Sequence, residues 1–93
     1  MGALEVLRTL HENNIVTERP VMLVDWTNEE GSRFPPAMVV SGVWAGQLDL
    51  QWAYDKTDIT GKRFEDELER IGYKGKAEAK HFPTHAYYEL HIE

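Results

Sequence analysis

The sequence contains no cysteine. That excludes disulfides, a cysteine nucleophile and thiolate metal ligands. No apolar run approaches the ~20 residues that a membrane-spanning helix needs. Positive charge is scarce: 10 Lys and Arg stand against 16 Asp and Glu, for a formal net charge of -6. A non-specific nucleic-acid binder wants a basic stripe, and an anionic membrane surface repels an acidic chain, so nucleic acid and membrane are both set aside as partners. Met1 to Glu5 offers no basic segment ahead of an apolar core and does not read as a signal peptide. Val6 stands where N-myristoylation wants Ser or Thr. A cytoplasmic setting is the expectation. Internal repeats and low-complexity stretches are also lacking.

What is present is ordinary globular material, 42% hydrophobic and 28% charged over 93 residues. One small domain is the natural reading, of a size that buries a limited fraction of its surface. Leu4, Leu7 and Leu10 recur at three-residue spacing, with Val6 beside them, and predict a helix over 3–13 that Asn13-Asn14 would stop. Pro20 then precedes Val21-Met22-Leu23-Val24, an unbroken apolar run that fits a strand covered on both faces. A helix followed by a buried strand predicts an α/β layer structure. Pro35-Pro36 stops regular structure. Short helices are expected over 37–46 and 48–54, a turn at Asp58-Ile59-Thr60-Gly61, and a better helix over 62–71. In that last helix Phe64, Leu68 and Ile71 share a face, and Gly72 is placed as its stop. Residues 86–93 alternate, with Tyr88, Leu90 and Ile92 on one side and Tyr87, Glu89, His91 and Glu93 on the other, the pattern of a strand. The fold class expected is α/β, a partial three-layer-type unit with a small mixed sheet and flanking helices.

Two stretches could carry chemistry. In Thr27-Asn28-Glu29-Glu30-Gly31, adjacent carboxylates follow a strand end, where open α/β sheets place their ligands. One carboxylate can bind a metal while its neighbour handles a proton. The same residues also fit a solvated acidic turn, because charged residues are mostly exposed. In Glu89-Leu90-His91-Ile92-Glu93, an imidazole shares a strand face with two carboxylates, which can orient a metal-binding ring. An exposed polar strand face is the alternative. His81 and His85 lie in a connector without a second ligand at helical spacing and are expected to face solvent. His11 sits late in the first helix, where it suits the helix C-terminal dipole. Trp26, Trp44, Trp52 and Tyr54 read as core or interface residues and not as a base-stacking platform.

In combination these segments resemble a known family. Trp26-Thr27-Asn28-Glu29-Glu30-Gly31-Ser32-Arg33-Phe34 is similar to the W-T-N-E-E-G-x-R-F signature of the M20 metallohydrolases, in the branch of N-carbamoyl-L-amino-acid hydrolases and allantoate amidohydrolases. Pro36-Ala37-Met38 and Ser41-Gly42-Val43-Trp44-Ala45-Gly46 resemble that branch's P-A-M and S-G-x-x-A-G segments. Phe64 to Tyr73 resembles its helix ending in I-G-Y, and His85 to Glu93 its H-A-Y-x-E-L-H-I-E segment. Gly2 to Leu10 resembles the helix after the family's metal-bridging Asp. These segments come in the family's order and cover essentially the whole chain.

The resemblance implies a part, residues 1–93, of a zinc-exopeptidase-like catalytic domain that hydrolyses C–N bonds of carbamoyl or ureido groups on small amino-acid-like substrates. It implies two divalent metals, zinc or manganese among them. Glu29 matches the general base, Glu30 a ligand to one metal, and His91 a ligand to the other. By the family pattern a first His ligand and a bridging Asp would lie upstream of Gly2, and a last His ligand and an inserted dimerising domain lie outside the chain. Each ion then keeps one protein ligand, where catalytic zinc uses about three. The expectation is therefore no tightly bound metal and no hydrolysis by this chain alone. Strands short of partners invite pairing with another copy, so a homo-oligomer is expected. The alternative is a non-catalytic oligomeric scaffold or binding module built from the same segment.

Overall fold

The computed structural model describes residues 1–91. Four helices form among them: α1 (Gly2–Glu12), α2 (Val39–Trp44), α3 (Leu50–Tyr54) and α4 (Phe64–Arg70). The chain divides into two compact units, Met1–Asp25 with the segment from Thr84 onward, and Trp26–Pro83.

In the first unit, α1 ends where the asparagines stand. Asn14 takes a left-handed conformation (φ 52°). Its N–H donates to the His11 carbonyl at 3.1 Å, and the Ile15 N–H donates to the Leu10 carbonyl at 2.9 Å. These two bonds satisfy carbonyls that the end of a helix leaves open, in the pattern of a Schellman stop. His11 lies in the last turn, as its dipole reading requires. No residue of α1 is buried. Its Gly2, Glu5, Val6, Thr9 and Leu10 line a shallow groove with Leu90.

The second unit holds the core. Val39 and Val43 of α2 pack on Ala53 of α3, with Leu48 against them, and Val39 is fully buried. Phe34 and Phe64 are also buried, their ring centroids 4.8 Å apart. Fully burying an aliphatic or aromatic side chain contributes about 1.5–3 kcal/mol, so this small set dominates the unit's stability. α2 is shorter than the 37–46 expected because Met38, its N-cap, sits in the left-handed region at φ 58°. α3 begins at Asp49, whose carboxylate accepts the Trp52 N–H at 2.7 Å. α4 begins after Arg63, which is extended and bridges Thr57. It stops at Gly72 (φ 72°), with Gly72 N–H on the Glu69 carbonyl at 3.0 Å and Tyr73 N–H on the Leu68 carbonyl at 2.8 Å. Asp58 closes the expected turn by accepting the Thr60 N–H at 2.8 Å.

The small mixed sheet is not formed among the described residues. Residues 21–24 and the described part of 86–93 are extended or irregular and enter no ladder; Ile92 and Glu93 lie outside the described residues. A strand exists by pairing, since its backbone groups need a neighbour's. An apolar run supplies the buried side chains of a strand but not its partner. Without one, Val21, Met22, Leu23 and Val24 are 46%, 63%, 37% and 44% exposed. The α/β reading thus holds for the helices and not for the sheet.

Candidate functional site

The segment after Asp25 is a tightly organised loop. Asn28 adopts φ 52°, a left-handed conformation that Asn tolerates better than most residues. Its side-chain amide donates to the Phe34 carbonyl at 2.8 Å and accepts the Phe34 N–H at 3.2 Å. That reciprocal pair closes a ring of chain around Glu29 and Glu30. Inside it the Gly31 N–H donates to the Asn28 carbonyl at 3.1 Å, and the Met38 N–H donates to the Glu29 carbonyl at 2.7 Å. Gly31 is buried, with φ 67°. A Cβ there would lie 2.5 Å from the Ala37 backbone nitrogen. The loop thus presents a half-buried Glu29 and an exposed Glu30 on a backbone fixed at both ends.

The loop lines an open cleft of about 470 Å³, whose other wall is Phe64, Glu67, Leu68 and Ile71 of the α4 segment. Arg33 ties the two walls. Its guanidinium meets Asp58 at 2.8 Å and Glu67 at 2.8 Å. Both acidic side chains are nearly buried, 6% and 10% exposed, against 44% for Arg33. Arg70 adds a two-pronged bond to Glu67, at 2.9 Å to each oxygen. Hydrogen bonds from Arg70 and then Arg33 hold the Glu67 carboxyl down at about 2. The Thr60 hydroxyl, followed by Arg33, holds Asp58 well below the usual carboxylate range. At the far end of α4, Lys74 donates to Glu65 and Glu69, which raise the Lys74 ammonium above its ordinary value.

Glu29 and Glu30 therefore belong to the second unit and His91 to the first. His91 is exposed, and beside it in sequence the Tyr87 hydroxyl donates to Glu89 at 2.9 Å. His81 and His85 are exposed as expected. His81 and Phe82 set their rings edge-on against Trp44, with centroids 6.1 Å and 5.8 Å away, and Trp26 stands 5.7 Å from it on a tilt. Two lysines reach the aromatics. Lys56 lies 3.9 Å from the Trp52 ring centroid and Lys74 5.2 Å from that of Tyr54. Sequence reasoning missed the Asn28 clamp and the Arg33–Asp58–Glu67 bridge. The Asp58-x-Thr60 spacing signals the local turn, but nothing in it signals a partner 25 residues upstream.

No protein-family model matches the chain. It is 48% identical over all 93 residues to an N-carbamoyl-L-amino-acid amidohydrolase from Rhizobium meliloti, covering 22% of that protein. A crystal structure from Burkholderia cenocepacia, described as an amidohydrolase/peptidase, is 54% identical and matches 98% of this chain and 22% of its own with a TM-score of 0.93. A hydantoinase/carbamoylase family amidase from Burkholderia vietnamiensis is 52% identical over 86% of this chain and 19% of its own, with a TM-score of 0.83. The chain spans about a fifth of the length of these relatives. Identity of this order along the chain, with the same backbone path, makes it the counterpart of one segment of amidohydrolases described as N-carbamoyl-L-amino-acid amidohydrolase and hydantoinase/carbamoylase family amidase.

Proposed function

We propose that the chain forms part of the active site of a dinuclear-metal amidohydrolase that cleaves C–N bonds of N-carbamoyl amino acids or related ureido compounds. The observation that carries this reading is the Asn28-clamped loop, which fixes two adjacent carboxylates at the rim of an open cleft. The named relatives supply the substrate class. The donor chemistry suits zinc or manganese, because carboxylate oxygen and imidazole nitrogen are the ligands such ions take. Glu30 would hold one ion and His91 the other. When bound, such metals polarise the scissile carbonyl and lower the pKa of water. Glu29 acts as general base, its carboxylate taking the proton of the attacking water and passing it to the departing nitrogen. The clamp supports that role, since a base must be held within hydrogen-bond reach of its proton.

One ligand per ion falls short of the roughly three that catalytic zinc uses, so the 93-residue chain alone is expected to be inactive and to hold no metal tightly. Two measurements test the reading. Residues 1–93 replace the matching segment of the Rhizobium meliloti relative, and hydrolysis of an N-carbamoyl-L-amino acid is assayed with Mn²⁺ or Zn²⁺. The chimera should turn over, and Glu29→Gln in it should cut kcat by about 100-fold or more, the ordinary contribution of general base catalysis. A folded, metal-loaded chimera that is inert, or a fully active Glu29→Gln variant, overturns the proposal. Calorimetry of Mn²⁺ with the chain alone should show no tight site.

A second reading, a non-catalytic oligomeric scaffold, has one observation in its favour. Val21 to Val24, Tyr88 and Leu90 expose apolar surface that would gain by being covered. On either reading self-association in a cytoplasmic setting is proposed.

A further inference from the structure

Arg33 joins the loop to the rest of the unit through charge. Its partners come from two places, the turn after α3 and the middle of α4. Asp58 is itself fixed by the Thr60 hydroxyl at 2.7 Å and the Thr60 and Lys62 N–H groups at 2.8 and 3.1 Å. Glu67 is fixed by the fork of Arg70. Neither carboxylate can follow Arg33 if the loop shifts, so the guanidinium is held between two rigid posts. Its carbon also sits 4.9 Å from the Phe34 ring centroid, and that ring packs on Phe64. Phe34 is the residue whose backbone the Asn28 amide grips. The chain of contacts runs from α4 through Arg33 and Phe34 to Asn28, and so to the backbone that carries Glu29 and Glu30.

We propose that Arg33 is a positioning residue for the Glu29–Glu30 pair, setting the loop's conformation by holding Asp58 and Glu67 at once. Planarity is the chemical reason for arginine here. A guanidinium presents donors in fixed directions and can engage two carboxylates on different edges, whereas a lysine ammonium is a point charge on a flexible stem. The inference rests on the proposed function for its catalytic meaning. Its test reads loop geometry without turnover, so the two can fail separately.

The experiment is amide hydrogen exchange on the 93-residue protein, comparing Arg33→Gln and Arg33→Lys with the parent. The reporting amides are Gly31, Phe34 and Met38, which donate to Asn28 and Glu29. The reference amides are Ala45 and Ala53, which close α2 and begin α3 around the buried core. Arg33→Gln should speed exchange at the three loop amides by about tenfold while the reference amides move less than about threefold, the pattern of a local opening. Arg33→Lys, which keeps the charge and can reach a single post, should fall between. A general loss of stability raises all five together, and that outcome overturns the proposal, as does no change at the loop. Should Arg33→Gln fail to fold, Arg33→Lys alone carries the same comparison. In the chimera, Arg33→Lys should lower kcat more than it changes KM, with Val43→Ala as a matched destabilised control that leaves kcat intact.

Discussion

Adding one methyl group at Gly31 should damage this protein out of proportion to its size. Two costs are separable. A left-handed conformation costs an L-residue about 1–2 kcal/mol relative to glycine, and Gly31 has φ 67°. The new Cβ would also fall 2.5 Å from Ala37 N, 2.6 Å from Pro36 C and 2.7 Å from Pro36 O. All three are backbone atoms, so no side-chain rotation relieves the overlap and the loop itself must move. Forced overpacking of this kind costs about 1–3 kcal/mol. The total for Gly31→Ala is about 2–5 kcal/mol, against a whole-domain stability of about 5–15. Gly72→Ala isolates the first cost, for Gly72 has φ 72° and nothing within 4 Å of its would-be Cβ. It should lose about 1–2 kcal/mol. Urea titration followed by the fluorescence of Trp26, Trp44 and Trp52, all in the same unit, gives both values. If Gly31→Ala is no worse than Gly72→Ala, the close approach of Pro36 and Ala37 is not what requires glycine, and the account of the loop is wrong.

Acid should weaken the Arg33 bridge in the cleft. Glu67 is held down at about 2 from its ordinary 4.5, so the stability it contributes is present above pH 4.5 and is lost as pH falls toward 2. Asp58 is depressed as well and adds in the same direction. Thermal melts between those limits should show a falling Tm, and Glu67→Gln should flatten the fall; an unchanged slope counts against the bridge. Phe64→Ala removes a buried ring that stacks on Phe34 and should cost about 3–5 kcal/mol by urea titration. A loss below 1 would show that the ring pair is not a core. Asp49→Ala removes the cap on the Trp52 N–H and should cost about 1 kcal/mol. Light scattering should give a mass above that of one chain, 10.7 kDa. A monomer at every concentration speaks against self-association.

The helices were legible because their causes are local. Leucines at helical spacing, an asparagine or glycine able to turn left-handed, and an aspartate ahead of Leu50 act within a few residues of where they stand. Each helix appears within two residues of its expected limits, and the late start of α2, which departs most, has a nameable cause in the left-handed Met38. The sheet was not legible because pairing is a relation between segments, and an apolar run at 21–24 cannot name its neighbour. The candidate site divides along the same line. Residues 26–34, together with the segments that follow them, carried the family resemblance and singled out Glu29 and Glu30, since contiguous motifs survive in the sequence alone. What holds that motif in shape comes from afar: Asp58 and Glu67 reach Arg33 across 25 and 34 positions, and only folding brings them there. The sequence by itself determined the chemistry on offer, two carboxylates and an imidazole without any thiol. Tertiary structure decided which backbone carries the carboxylates and what keeps it rigid, because burial and ion pairing depend on distances in space that spacing along the chain does not record.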